Sequence, residues 1–293
     1  MAIHFADEKK LNQLFHINGR NFGVAEFGDP MGEAILDFYP LGSSRYYIAV
    51  ETPPPGVRLI CLDRPGSGLS SNLNDALAEN YTPVDFANDV YLILQEMKVD
   101  RVHVIGCSAG AVYACAFAAT FQECVKFVYL ISPWVSLSVS TTMALYVAQN
   151  FVPRFVIGWS SVLMHTMLLS SFNSAIASTL TPSEASRVDP VRLEQFKGVC
   201  AENTRIGHVG NGRDMNLCLG KLPWGFEYAQ VLSHVEIIQG RSDPMVSADA
   251  IVALQAALPS SHVTWVDGSH NGVILFQKPE VLMMISSQCQ NKN

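Results

Sequence analysis

Short apolar runs recur along the chain and alternate with longer segments of helical character. These runs lie near residues 34–39, 57–62, 102–106, 126–131, 235–239 and 263–266. They are rich in Val, Ile and Leu, which is the pattern of strands buried on both faces. The clearest helix between them spans Pro83 to Met97, and Thr82 is a typical N-cap before a proline. This alternation predicts a mostly parallel α/β sheet with helices on both faces.

Two features lie outside the regular alternation. Residues 14–18 and 22–27, joined around Asn18-Gly19, predict an opening β-hairpin. From Ser132 to about Val231 the strands stop, and an apolar half is followed by a more polar half. Pro153 and Arg154 break the apolar half, so its remaining run is too short to span a bilayer comfortably. This region is predicted to be a helical insertion.

Residues 106–110 read Gly-Cys-Ser-Ala-Gly and sit between an apolar strand and a run of small, helix-forming residues. A nucleophile elbow requires this strand, sharp turn and helix. The turn strains the backbone of the central serine, so its neighbours must be small, as they are here. Ser108 is therefore predicted to project its hydroxyl above the sheet.

Two intact motifs and their order resemble the α/β-hydrolase family. Gly106 to Gly110 matches G-x-S-x-G, and Asp63 to Ser70 matches D-x-P-G-x-G-x-S. The resemblance covers nearly the whole chain. It implies an α/β-hydrolase core over residues 1–135 and 231–293, with an inserted helical cap over residues 136–230. Ligands of such sheets bind at the carboxyl ends of the strands.

The family's triad places an acid and then a histidine after the serine. Asp243 follows the predicted strand 235–240, and His270 follows the predicted strand 263–266. His270 would take the serine proton, and Asp243 would hold the imidazole in the correct tautomer. Asp267 is a rival acid, but its closeness to His270 in sequence favours a role in shaping the loop.

The predicted oxyanion hole departs from the family pattern. The resemblance implies backbone N–H donors from Ala109 and Leu41. Where the family usually reads Phe-His-Gly, this chain reads Phe38-Tyr39-Pro40, and proline has no N–H and a fixed φ. The Tyr39 hydroxyl has two readings of equal weight: a structural role, or a hydrogen bond to substrate.

The insertion carries many aromatic and apolar residues with few charges. Caps of this family shape the substrate pocket, so Trp134, Trp159 and His165 join Tyr39 as predicted substrate contacts. The resemblance and the composition together favour an apolar small-molecule substrate. The alternative for most of these aromatics is cap core or the surface of a homodimer.

Three functions are compatible with these residues. The leading one is a serine hydrolase that cleaves an ester, lactone or thioester through an acyl-Ser108 intermediate. The altered loop at Tyr39 and Pro40 favours, as an alternative, a non-hydrolytic lyase, isomerase or carbon-carbon bond enzyme of natural-product metabolism. A ligand receptor on a retained hydrolase scaffold is the third. Epoxide hydrolases and haloalkane dehalogenases use an aspartate nucleophile, where this chain has Ser108.

Composition narrows the partners and the compartment. The formal charge is −7, which disfavours nucleic acid and anionic membranes as partners. Charged residues make up 15% of the chain against an average of about 25%, which indicates an apolar, compact protein. The seven cysteines lack metal-type spacing, and the first ten residues lack a signal peptide, so a cytoplasmic protein is predicted. We expect no metal and no cofactor, because no dinucleotide or P-loop glycine motif is present.

Overall fold

The computed structural model describes residues 8–50, 52–135 and 143–290. Eight strands form one sheet in the order β1-β2-β4-β3-β5-β6-β7-β8. They are β1 Gln13–Ile17, β2 Arg20–Gly28, β3 Glu33–Phe38, β4 Val57–Leu62, β5 Val102–Cys107, β6 Val125–Ile131, β7 Val235–Gly240 and β8 Ser261–Val266. β1 pairs with β2 and β2 pairs with β4 in antiparallel fashion, and every later pair is parallel. The predicted fold class is confirmed.

The helices follow the strands in the predicted alternation, except between β6 and β7. They are α1 Glu8–Leu11, α2 Asp75–Ala78, α3 Pro83–Glu96, α4 Gly110–Thr120, α5 Met143–Phe151, α6 Arg154–Ser170, α7 Phe172–Ala177, α8 Pro182–Ala185, α9 Pro190–Asn203, α10 Val209–Cys218, α11 Ala248–Ala257 and α12 His270–Gln290. Short 3-10 turns cover Arg45–Val50, Gln122–Cys124 and Tyr228–Gln230. No helix among these is both long and apolar enough to cross a membrane.

Local signals in the sequence account for the first elements. Asn18 and Gly19 have φ angles of 52° and 74°, so the hairpin turn uses the left-handed conformation that Asn-Gly pairs favour. At α3, the Thr82 hydroxyl accepts the Asp85 N–H while the Asp85 carboxylate accepts the Thr82 N–H. This reciprocal capping box satisfies two backbone donors where the helix begins.

Both faces of the sheet are covered by apolar packing. Alternate strand residues point to opposite faces, so Leu36 joins one core cluster and Ile35 the other. The first cluster packs the sheet against α3, α4 and α11, and the second packs it against α12. The core therefore fixes the carboxyl ends of the parallel strands, where the loops after β3, β5, β7 and β8 meet.

Between β6 and β7 the described chain forms α5 to α10 in place of strands. We call residues 143–230 the helical segment. Its α10 packs against α6, and Asn203 Nδ2 of α9 donates to the carbonyl of Ser43, in the loop after β3, at 2.6 Å. The helical segment thus lies against the loop that follows β3.

Candidate active site

Ser108 occupies a strained turn between β5 and α4. Its φ is +50°, a left-handed conformation that non-glycine residues rarely adopt. The Ser108 N–H donates to the Ile131 carbonyl at 3.1 Å, and the Ser108 carbonyl accepts the N–H of Trp134 at 3.0 Å. A Cβ at Gly110 would lie 2.0 Å from the Phe38 carbonyl oxygen, so this glycine is required by the close approach of the β3 loop. Hydrogen bonds to Ser108 and the close packing at Gly110 thus hold the turn in this conformation.

His270 is the first residue of α12, and its ring reaches Ser108. The His270 Nε2 lies 3.0 Å from the Ser108 Oγ, and both side chains are buried. The other ring nitrogen, Nδ1, lies 2.8 Å from the Asp243 Oδ2. Because an ionised carboxylate only accepts hydrogen bonds, Nδ1 carries the proton and neutral Nε2 accepts from the serine hydroxyl. This arrangement can remove a proton from Ser108.

Asp243 lies just after β7 in a loop that satisfies its carboxylate. The Asp243 Oδ1 accepts the N–H groups of Met245 at 2.8 Å and Val246 at 3.1 Å. Burial by itself would raise the pKa of the Asp243 carboxyl, but the hydrogen bond and charge of His270 and these two N–H groups bring the pKa below its ordinary value. Asp243 is therefore held as the anion beside the imidazole.

The structure separates the two candidate acids. Asp243 contacts His270, whereas the Asp267 side chain is 99% exposed and lies 3.7 Å from the Arg241 guanidinium. Asp267 therefore lies on the exposed surface of the loop after β8, away from His270.

Gln239 is a contact that sequence reasoning missed. It is fully buried near the end of β7, and its Nε2 donates to the Asp243 Oδ2 at 2.8 Å. The signal was an amide near the end of a largely apolar strand, four residues before Asp243. A buried amide at that place needs a partner, and the acid of the next loop is within reach.

The two predicted oxyanion donors belong to adjoining backbones. Ala109 directly precedes the first residue of α4, and Leu41 lies in the loop after β3, whose Phe38 carbonyl meets Gly110. The Arg64 guanidinium donates to the carbonyls of Tyr39 and Pro40, each at 3.1 Å. These bonds turn both carbonyls toward Arg64 and fix the peptide path leading into Leu41. They also show how a loop with proline in place of glycine is held.

Tyr39 is accounted for by contacts inside the protein. The Tyr39 hydroxyl accepts the backbone N–H of Arg64 at 2.8 Å, and the Arg64 guanidinium lies 3.9 Å from the centroid of the Tyr39 ring. Burial raises the pKa of Tyr39 well above its ordinary value, so the phenol stays protonated. The Arg64 guanidinium also pairs with Asp214 of α10 at 2.7 Å, and Asp214 accepts the Tyr113 hydroxyl at 2.6 Å. These contacts within the protein support a structural role for Tyr39.

The other three predicted substrate contacts lie in different surroundings. Trp134 is half-buried, and its indole N–H donates to the Cys218 carbonyl at 2.9 Å. Trp159 is 78% exposed and borders a cavity of about 440 Å³ between α6, α10 and the loop after β4. His165 is buried and lines a cavity of about 430 Å³ that Leu41 also lines. Burial and the neighbouring His208 lower the pKa of His165, so it is a neutral ring.

The cavity that Leu41 and His165 share is mainly apolar. It lies between the β3 loop and helices α6, α7 and α10. Its apolar wall is formed by Met164, Met167, Leu168, Ala175 and Met215. Asn211 and Ser161 add polar groups near Gly42. Flexible thioether side chains adapt to irregular apolar ligands.

Comparison with known proteins agrees with this fold. Two relatives carry the name "Putative carbamate hydrolase RutD". The one from Enterobacter cloacae subsp. cloacae is 24% identical, over 73% of this chain and 74% of its own. The one from Cronobacter sakazakii is 25% identical over the same shares.

Solved structures with lower sequence identity share the architecture. An esterase from Exiguobacterium antarcticum superposes with a TM-score of 0.70 at 14% identity, over 95% of this chain and 99% of that one. An enol-lactonase from Burkholderia xenovorans LB400 gives a TM-score of 0.66 at 17% identity, over 95% and 98%. The family model of the alpha/beta hydrolase fold matches residues 40–276. The chain belongs to the alpha/beta hydrolase fold family.

Proposed function

We propose that the protein is a serine hydrolase that cleaves an ester, lactone or thioester of an apolar small molecule through an acyl-Ser108 intermediate. The observation that carries this proposal is the continuous chain of contacts from Ser108 Oγ to His270 Nε2 at 3.0 Å and from His270 Nδ1 to Asp243 Oδ2 at 2.8 Å. A serine hydroxyl is a weak nucleophile alone, and a neutral imidazole at this distance activates it. The family and the names of the curated relatives support a hydrolase.

The first half of the reaction forms the acyl-enzyme. Ser108 Oγ bonds to the carbonyl carbon as its proton moves to His270 Nε2, and the carbonyl oxygen becomes an oxyanion. The N–H groups of Ala109 and Leu41 would meet that oxyanion. The tetrahedral carbon then expels the alcohol or thiol, which takes the proton back from His270. Asp243 stabilises the imidazolium and stays ionised throughout.

The second half returns the enzyme to its starting state. His270 takes a proton from water, whose oxygen bonds to the acyl carbon. The new tetrahedral intermediate collapses, and Ser108 leaves with the proton that His270 held. The products are a carboxylic acid and the free serine, so no cofactor is consumed.

We assign the apolar part of the substrate to the cavity that Leu41 lines. Ser108 and His270 do not line this cavity, and Leu41 is its link to the proposed oxyanion donors. Its mainly apolar wall suits an acyl group or a lactone ring, and about 430 Å³ is within the range of small-molecule pockets. On this proposal residues 136–230 are the cap, because the helical segment supplies most of the wall. Residues 136–142 lie outside the described residues.

The non-hydrolytic alternative was motivated by the altered loop at Tyr39 and Pro40. The Tyr39 hydroxyl accepts the backbone N–H of Arg64, and this contact supports a structural role for Tyr39 over a hydrogen bond to substrate. The receptor alternative requires a site without chemistry, whereas the serine, imidazole and carboxylate are in hydrogen-bond contact here.

Turnover assays with triad variants test the proposal. Wild type, Ser108→Ala and His270→Ala are compared on p-nitrophenyl esters of increasing chain length, aryl lactones and acyl thioesters. Carbamates complete the panel, because the two relatives are named for them. We expect wild type to hydrolyse at least one class and both variants to lose that turnover. Activity that persists in Ser108→Ala and is lost in His270→Ala would instead indicate proton-transfer chemistry.

A further inference from the structure

A carboxylate of the helical segment is buried against the loop that presents His270. Glu184, in α8, is 5% exposed. Its Oε1 accepts the Ser269 N–H at 3.0 Å, and its Oε2 accepts the Ser269 hydroxyl at 2.8 Å. Ser269 directly precedes His270, so Glu184 is hydrogen-bonded to the residue before His270 in the sequence.

The sequence around His270 makes room for this carboxylate. A Cβ at Gly272 would lie 1.8 Å from the Glu184 Oε1, and a Cβ at Gly268 would lie 2.8 Å from the same atom. The two glycines stand two residues on either side of His270. Side chains at these positions would displace the Glu184 carboxylate from its present place, so the two glycines leave the space that it occupies.

Ser269 links Glu184 by hydrogen bonds to the first turn of α12. While its hydroxyl donates to Glu184, its Oγ accepts the Gly272 N–H at 3.1 Å. The carboxylate thus sets the rotamer of a side chain that satisfies a backbone donor in the first turn of the helix. His270 is the first residue of that helix.

The anion is held by hydrogen bonds. Burial would raise the pKa of the Glu184 carboxyl, but the donors from Thr181 and Ser269 bring it below its ordinary value. A second hydrogen bond runs beside it, because Asn271 Nδ2 donates to the Thr179 Oγ1 at 2.8 Å. Residues 179–184 therefore contact both sequence neighbours of His270.

We propose that Glu184 is a positioning residue for His270, through which the helical segment holds the imidazole in reach of Ser108 and Asp243. This rests on the proposed function. It assigns to the helical segment a part in aligning the base, in addition to shaping the pocket.

The test is the kinetics of Ser108 labelling by a fluorophosphonate, followed by intact mass at several reagent concentrations. The variants are Glu184→Ala, Glu184→Gln, Ser269→Ala and the double variant Glu184→Ala/Ser269→Ala. Glu194→Ala is the matched control, because Glu194 is a carboxylate of the same segment that accepts from the exposed Asn173 at 3.1 Å. Ser108→Ala reports labelling elsewhere.

We expect Glu184→Ala to lower the maximal labelling rate constant about 10- to 100-fold, because small misplacements of a base cost that much. The half-saturating reagent concentration should stay the same. Ser269→Ala should also slow labelling, and the double variant should be no slower than the slower single variant, since the two residues act as one unit. Glu184→Gln should recover part of the rate, and Glu194→Ala should match wild type.

The outcomes separate this inference from the proposed function. If wild type is not labelled, the proposed function fails and this inference fails with it. If wild type is labelled and the variants label at the wild-type rate constant, only the role of Glu184 is overturned. A variant that merely folds less well lowers the labelled fraction without changing the rate constant of that fraction. That result also overturns the role.

Discussion

Gln239 and His270 hydrogen-bond to the same oxygen of Asp243. The Gln239 Nε2 and the His270 Nδ1 each lie 2.8 Å from the Asp243 Oδ2. The Asp243 carboxylate is therefore oriented from the sheet as well as from its own loop. The Gln239 Oε1 is buried without a partner in the described structure.

Replacing Gln239 by methionine should separate orientation from stability. The change removes the donor to Asp243, and we expect turnover to fall about 10-fold, as for other groups that orient a catalytic partner. It also removes a buried unsatisfied oxygen, so the free energy of unfolding should change by less than about 1 kcal/mol. Chemical denaturation together with turnover checks this. A loss of activity in proportion to lost stability would contradict the orienting role.

The lowered pKa of Asp243 predicts how stability depends on pH. Because the folded-state pKa lies below the ordinary 3.8, the anion contributes stability that is fully present above that value. The contribution is lost as the pH falls through the lower folded-state pKa. The difference in unfolding free energy between wild type and Asp243→Asn should therefore shrink below about pH 3.8. Urea titrations at matched pH measure it, and a difference that widens there would refute the assignment.

Arg64 should matter for the proposed oxyanion donor in the loop after β3 as well as for the fold. Arg64→Met removes the guanidinium donors to the Tyr39 and Pro40 carbonyls and leaves Asp214 buried without its cation, which should cost about 3–5 kcal/mol. In the double variant with Asp214→Leu the stability loss should be smaller than the sum of the single losses. Activity should stay low in the double variant, because the loop carbonyls remain unheld. Denaturation curves and turnover of all four proteins test this, and recovery of activity would contradict the role in the loop.

The left-handed backbone of Ser108 predicts a stability difference between two inactive variants. Alanine keeps the Cβ that is strained at a φ of +50°, whereas glycine removes it. We expect Ser108→Gly to be more stable than Ser108→Ala by roughly 0.5–1 kcal/mol, after the larger chain entropy of glycine is subtracted. Thermal unfolding of both variants decides the matter. Equal stability would mean that the turn is not strained.

Much of the sheet could be predicted from the sequence because its signals are local. Strands buried on both faces are continuous apolar runs, and Thr82-Pro83 and Asn18-Gly19 mark a cap and a turn. The order of Ser108, Asp243 and His270 along parallel strands was sufficient to place them at one edge of a sheet.

The partners of these residues could not be predicted because they depend on tertiary contacts. Glu184 precedes Ser269 by 85 residues, and no local pattern links the two. The apolar residues of the helical segment show the same limit. Trp159 was predicted to contact substrate, with cap core or a dimer surface as the alternative, and it is 78% exposed on α6, where Phe155 is 69% exposed. The packing among α5 to α10 decides which face of each helix is covered, and the sequence alone does not specify that packing.

Labelling of Ser108 by a fluorophosphonate shows whether this serine is an activated nucleophile. Intact-mass analysis after treatment with a fluorophosphonate compares wild type with Ser108→Ala and His270→Ala. We expect one adduct per chain in wild type, mapped by peptide mass to Ser108, and none in the two variants. Wild type that stays unlabelled, or an adduct that persists in Ser108→Ala, would contradict it.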